Sequence, residues 1–228
     1  MQAALQVLAR LLHYPQAELF RHSVAMTAIL SAEPPLQPWQ DELAVYVQAC
    51  RDRDLLDLQA EHVASFDRGR QCALYLFEHR FGDSRERGPA MVELRQLYRS
   101  AGLDIVGREL PDYLPLYLEY CASLDPAAAL AALAAIVDVL GAIERGLASR
   151  HSRYRLILQA LLSLAGARPE ADTVAMDRDD DGVAIDRAWA EVPVEFMGAD
   201  PGACRTDRAQ AVRWCASTPV EENRRERT

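Results

Sequence analysis

The chain predicts an all-α fold: a single bundle of about seven helices followed by a mobile acidic C-terminal tail. Three observations carry that expectation. Half of the 228 residues are hydrophobic, with Ala and Leu prominent and β-branched residues few, which favours helix over strand. Apolar residues recur at spacings of three and four along most of the first 165 positions, the period of one helix face. No segment alternates polar and apolar with turn chemistry at its ends, as a half-buried strand would.

The elements follow in order. Ala3 to His13 is an amphipathic helix with Leu5, Leu8 and Leu12 on one face, ended by Tyr14-Pro15. A second helix covers Glu18 to Leu30. Pro34, Pro35 and Pro38 mark a loop, with Pro38 in the first turn of a helix to about Cys50. Asp54 caps the next helix, through about Ser65. Gln71 to Phe81 is apolar nearly all round and reads as a buried central helix ended by Gly82. After the polar connection 83–88, Pro89 begins a helix with Met91, Leu94, Tyr98 and Ala101 inward and Gly102 just past its end. Asp125-Pro126 is a strong helix start, for a helix to about Ala148 with Leu130, Leu133, Val137, Leu140 and Leu147 inward. Ser152 to Ala165 is the last helix. This places a helical domain at 1–167 and a mostly irregular segment at 168–228, in which Trp189 to Phe196 is the main apolar cluster.

Composition narrows the chemistry. The formal charge is −9, which speaks against a nucleic-acid partner and favours a basic one. The sequence contains no lysine, so Schiff-base, Walker-A and lysine general-base chemistry are excluded. Five scattered cysteines (Cys50, Cys72, Cys121, Cys204, Cys215) without a CxxC pair fit reduced thiols in a cytoplasmic protein. The first residues lack a basic region ahead of their apolar stretch and do not read as a signal peptide. No apolar run reaches membrane-spanning length, so no stable membrane association is expected.

Catalytic patterns are missing. Asp177, Asp179, Asp181 and Gly182 open like an EF-hand loop, but Ala188 stands at the twelfth position where a bidentate Glu belongs. The five histidines form no metal-binding spacing, and His79 beside Glu78 reads as a hydrogen-bonded half-buried histidine. No nucleotide or nucleophile-elbow motif occurs. No catalytic residue, metal ligand or cofactor is therefore assigned. A helical metal-dependent hydrolase built on His79, Glu78 and Asp67 is the enzyme-class alternative, and a structural subunit of a membrane complex is a third reading.

The candidate binding site is the segment 109–121. Asp112 reads as a helix N-cap after Pro111, with Pro115 in the first turn where no intrahelical donor is lost. Tyr113, Tyr117 and Tyr120 then share one stripe, with Leu114, Leu118 and Cys121 towards the core. Asp112 and Glu119 flank the tyrosines with Leu116 between them. Such a surface suits an amphipathic peptide carrying Arg or Lys, since aromatic rings give contact area and carboxylates pair with cations. A capped core helix whose tyrosines merely complete the packing fits the spacing equally well.

Several stretches, in order, resemble the assembly chaperones of respiratory nitrate reductase, the NarJ family, within the wider group of maturation chaperones for molybdoenzymes. They are Leu11-Leu12-His13-Tyr14-Pro15, Phe66-Asp67-Arg68, Leu76-Phe77-Glu78-His79, Gly82-Asp83-Ser84-Arg85-Glu86-Arg87-Gly88, Met91-Val92 with Leu94 and Tyr98, Glu109 to Pro115, and Trp189 to Phe196. The resemblance implies an all-helical, non-catalytic cytoplasmic chaperone. It implies as client the apo-form of the nitrate reductase α subunit, bound through its N-terminal segment before cofactor insertion and membrane docking. It also implies that Glu109, Pro111, Asp112 and Tyr113 line the peptide groove; Leu116, Tyr117, Glu119 and Tyr120 join them from the stripe above.

Overall fold

The computed structural model describes residues 1–167, which form ten α-helices and three short 3-10 helices. The all-α expectation holds, with more elements than expected: the stretch 125–148 is broken into two helices, and short 3-10 helices stand at Leu19–His22, Pro34–Trp39 and Arg70–Cys72. The expectations placed on 168–228, including the EF-hand-like run, the Trp189 to Phe196 cluster, Cys204 and Cys215, lie outside the described residues.

Helix α1 (Gln2–Leu12) buries Leu5, Leu8 and Leu12 as its period predicts. A 3-10 turn at Leu19–His22 leads into α2 (Ser23–Ser31). The prolines expected in a loop form a 3-10 helix, Pro34–Trp39, with Pro38 inside it, and α3 (Gln40–Asp52) starts only after it. Proline's fixed φ suits that tighter coil, and its missing donor costs little there. Helix α4 (Leu55–Phe66) is capped as expected: the Asp54 side chain accepts the Leu56 N–H at 2.8 Å.

The stretch 71–81 is not one helix. A 3-10 turn at Arg70–Cys72 gives way to extended residues, and α5 is only Leu76–Phe81. Tyr75 pairs with Tyr113 in an isolated antiparallel bridge. The Leu76 N–H donates to the Asp112 carbonyl at 2.9 Å, and the Leu114 N–H to the Leu74 carbonyl at 2.7 Å. An apolar run without clear periodicity is equally compatible with a buried extended segment.

Helix α6 (Arg87–Ser100) starts two residues before Pro89 and buries Leu94 and Tyr98. Ala101 is exposed and Met91 half-buried, against the expected inward stripe. Helix α7 (Leu114–Ser123) has Tyr113, not Asp112, at its N-cap. Asp125 caps α8 (Pro126–Ala134), accepting the Ala127 and Ala128 N–H groups at 3.0 Å. The expected helix to Ala148 breaks here: α9 (Val137–Ser149) departs from α8 at 60°. Tyr117 Oη donates to the Ala132 carbonyl at 3.0 Å and an Arg80 guanidinium N–H to the Ala135 carbonyl at 2.6 Å. These bonds satisfy carbonyls left open at the end of α8. Leu130, expected inward, is exposed, and Ala129 and Leu133 make the contact instead. Helix α10 (Arg155–Leu164) packs on α9, while α1 packs along α7. Leu5, Leu8, Leu12, Leu114, Leu118, Leu140, Ile143 and Leu147 form the centre of the core.

No single described helix is long and apolar enough to cross a membrane; α8 and α9 reach that length only together, across their bend.

Candidate functional site

The extended residues before α5 and the segment leading into α7 are locked side by side, and Asp112 is the clasp. Its backbone carbonyl accepts from Leu76 and its Oδ2 accepts the Phe77 N–H at 3.0 Å. A carboxylate on the first turn of α5 satisfies a free helix donor. Asp112 is therefore a cap, but of α5 and not of its own helix. Its side chain is completely buried, its Oδ1 has no hydrogen-bond partner, and Arg87 approaches only to 3.9 Å. Burial raises the Asp112 pKa, against the Phe77 hydrogen bond and the Arg87 charge, which lower it. Tyr98 Oη adds a bond to the Pro111 carbonyl at 2.8 Å, tying α6 to the same segment.

The tyrosine stripe is not a surface. Tyr113, Tyr117 and Tyr120 are buried, each less than 10 % exposed (7 %, 8 % and 8 %). Burial raises the pKa of all three phenols. Tyr120 lies 5.2 Å from the Tyr98 ring and 6.0 Å from Tyr117. The acidic rim also separates: Asp112 is inside, while Glu119 is partly exposed and pairs with Arg10 of α1 at 3.4 Å. Both findings favour the second of the two readings, a helix whose tyrosines complete the packing, over an exposed stripe beside a shared acidic rim. A tyrosine repeat at helical spacing next to leucines buries readily because its hydroxyls can find carbonyls, as Tyr117 does.

Two concavities flank the clasp. One, of about 450 Å³, is an apolar trough lined by Leu76, Phe77, Phe81, Leu94, Leu97, Tyr117, Ile136 and Val139, with Arg80 and Glu93 at polar positions. The other, of about 630 Å³, has aromatic walls (Tyr14, His62, Phe66, Tyr75, Tyr113) and three carboxylates, Asp67, Glu78 and Glu109. Tyr75 Oη donates to Glu109 Oε2 at 3.0 Å; burial first and then this contact push its pKa up to about 12. Glu78 accepts from Arg87 at 2.9 Å and lies 3.4 Å from Arg70.

Of the expected residues, Glu109 and Tyr113 line the acidic–aromatic pocket and Tyr117 lines the trough. Asp112 stands between them as the clasp. Pro111 and Leu116 are half-buried beside it, and Leu116, Glu119 and Tyr120 line neither concavity. Sequence reasoning missed Tyr14, His62, Arg70 and Tyr75 as pocket residues. No local pattern could bring them in, since the Tyr75–Tyr113 pairing joins distant segments. His79, the heart of the hydrolase alternative, has Nε2 2.8 Å from the Ala73 carbonyl. Among the described residues no three His, Cys, Asp or Glu side chains are grouped to hold a metal ion.

An all-helical fold with two concavities beside one clasped segment is the setting of the candidate site. The fold matches a crystal structure titled a putative redox enzyme maturation protein from Archaeoglobus fulgidus. The TM-score is 0.53 at 20 % identity, over 71 % of this chain and 91 % of that one. The model of the family described as nitrate reductase delta subunit matches residues 32–155. The chain is 41 % identical over 205 residues to the nitrate reductase molybdenum cofactor assembly chaperone NarJ of Escherichia coli (strain K12), covering 87 % of this chain and 86 % of that protein. It is 36 % identical to the probable assembly chaperone NarW of the same organism, over 88 % and 86 %. A probable NarJ of Bacillus subtilis (strain 168) is 27 % identical over 71 % of this chain and 88 % of that one. The chain belongs to the nitrate reductase delta subunit family.

Proposed function

We propose that this protein is a client-specific, non-catalytic chaperone for nitrate reductase, acting in the cytoplasm. It binds the N-terminal segment of the catalytic α subunit, keeps the apo-enzyme open for molybdenum-cofactor insertion, and delays docking on the membrane. The observation that carries this reading is the pair of concavities flanking the Asp112 clasp, in a chain whose relatives are named assembly chaperones. An apolar trough next to an acidic, aromatic pocket suits an amphipathic segment with basic residues. Glu109, Tyr113 and Tyr117 contact it directly; Pro111, Asp112, Leu116, Glu119 and Tyr120 hold the wall in shape.

Deleting the gene tests the role. The reductase subunits should still be made, but the enzyme should be inactive and poor in molybdenum cofactor. Normal nitrate reduction in the deletion strain would overturn it. Titration calorimetry with a synthetic α-subunit N-terminal peptide tests the contact itself.

A further inference from the structure

The acidic–aromatic pocket offers polar groups of nearly one kind. Asp67, Glu78 and Glu109 contribute carboxylates, and the His62 ring also lines it. His62 Nε2 stands 3.0 Å from the Leu12 carbonyl oxygen. A carbonyl only accepts, so Nε2 carries the proton. Burial lowers the His62 pKa, which keeps the ring neutral and leaves Nδ1 a bare acceptor. Nδ1 is buried and has no hydrogen-bond partner, in a residue only 5 % exposed, so the acceptors open to a ligand are the carboxylates. Aromatic faces complete the walls. Acceptors and π faces together match a donor-rich cation, and a planar guanidinium better than a compact ammonium.

One cation already stands there. Arg70 lines the pocket with its Nε 3.4 Å from Glu78, while its two terminal nitrogens reach Asp83 at 3.1 and 3.2 Å. Arg70 is 60 % exposed, as is most of Asp83 (82 %). It follows Gly69, whose φ of +87° sets the turn that carries it. Its contact with Glu78, made at 3.4 Å to a carboxylate 18 % exposed that Arg87 also holds at 2.9 Å, is a half-exposed one of small cost to give up, and Asp83 can keep the released guanidinium.

We propose that this pocket receives one basic side chain of the bound segment, an arginine guanidinium foremost, and that Arg70 is the resident competitor it displaces from Glu78. The proposal rests on the peptide-binding reading above and adds a selection step to it. A segment with a well-placed cation exchanges for Arg70 and gains Glu109, Asp67 and the tyrosine faces. A segment without one leaves Arg70 in place and must bind through the trough alone.

The test is calorimetry on the full chain with the α-subunit N-terminal peptide and with the same peptide carrying citrulline for arginine. Citrulline keeps the shape and removes the charge. The citrulline peptide should bind about threefold to thirtyfold more weakly, the range for a half-exposed charge pair. Arg70→Gln should tighten the arginine peptide by at least about threefold and leave the citrulline peptide unchanged. Glu109→Gln, which can still accept from Tyr75, should weaken only the arginine peptide. A second arm does not need the peptide: N-acetylarginine amide should shift the His62 and Tyr113 ring resonances, more in Arg70→Gln and less in Glu109→Gln. Equal affinity for both peptides, or an Arg70→Gln variant that is folded and binds no tighter, overturns the cation pocket and leaves the chaperone reading standing. Ring shifts with arginine amide but no binding of the peptide overturn the peptide reading and leave the pocket. No ring shift overturns the pocket.

Discussion

At the residue scale Asp112 decides the local architecture. Asp112→Ala leaves the Phe77 N–H without its carboxylate and should cost about 1–3 kcal/mol, by loss of a cap and a buried acceptor. Asp112→Asn keeps one oxygen for Phe77 and removes a charge that burial disfavours, so it should be nearly neutral. Urea denaturation separates the two. Tyr117 is the second case. Its ring is buried and its hydroxyl holds the end of α8. Tyr117→Ala should therefore destabilise by about 3–5 kcal/mol, so any binding loss it shows mixes a lost contact with lost folding. Tyr117→Phe removes only the hydrogen bond, about 1 kcal/mol, and is the usable probe. His62 gives a pH dependence. Burial lowers its pKa from 6.5, so below that value the unfolded chain holds a proton the folded chain refuses. Stability should fall as pH drops below about 6.5 and be indifferent to this group above it. His13, also lowered by burial, adds in the same direction. Asp112 opposes at lower pH, because its raised pKa lets the folded chain take its proton first. Thermal melts at about pH 7.5 and about pH 5.5 should show a loss that shrinks in His62→Gln.

At the element scale helix ends were readable and helix interiors less so. Asp54 and Asp125 cap the helices their positions announced, because capping is settled within three residues. Gly82 and Gly102, at φ of +49° and +77°, end α5 and follow α6 as expected. The two broken stretches carried no local mark. Residues 70–81 exchange helical hydrogen bonds for a bridge to Tyr113, and α8 turns into α9 where Tyr117 and Arg80 take its carbonyls. Both depend on partners far along the chain. Gly146 on α9 tests this packing. A Cβ there would lie 2.8 Å from Cys72 Sγ and 3.2 Å from the Gln71 carbonyl oxygen. Gly146→Ala should destabilise by about 1–3 kcal/mol through overpacking, more than offsetting the ~1 kcal/mol that alanine gains in a helix. Calorimetric melting checks it.

At the scale of the whole molecule residues 1–167 hold a hydrophobic core that runs from α1 to α10. A chain ending at Ala167 should keep its helical circular dichroism and melt cooperatively; a broad, non-cooperative melt would show that residues beyond are needed for folding. Peptide affinity should fall with added salt but level off, since the acidic pocket is screened and the apolar trough is not. Fold class, most helix termini and the family were legible in the chain alone, because periodicity, caps and ordered short motifs are local properties. It also brought Glu109, Asp112, Tyr113 and Tyr117 to attention as one segment. What each residue does emerges only on folding: Asp112 turns inward to cap α5, the tyrosines close the core, and the acidic, aromatic surface is rebuilt from Tyr14, Asp67, Tyr75, Glu78 and Glu109. Those residues meet because Leu74 to Leu76 pair with Asp112 to Leu114, and a hydrogen-bonded pairing between distant segments leaves no period in either one.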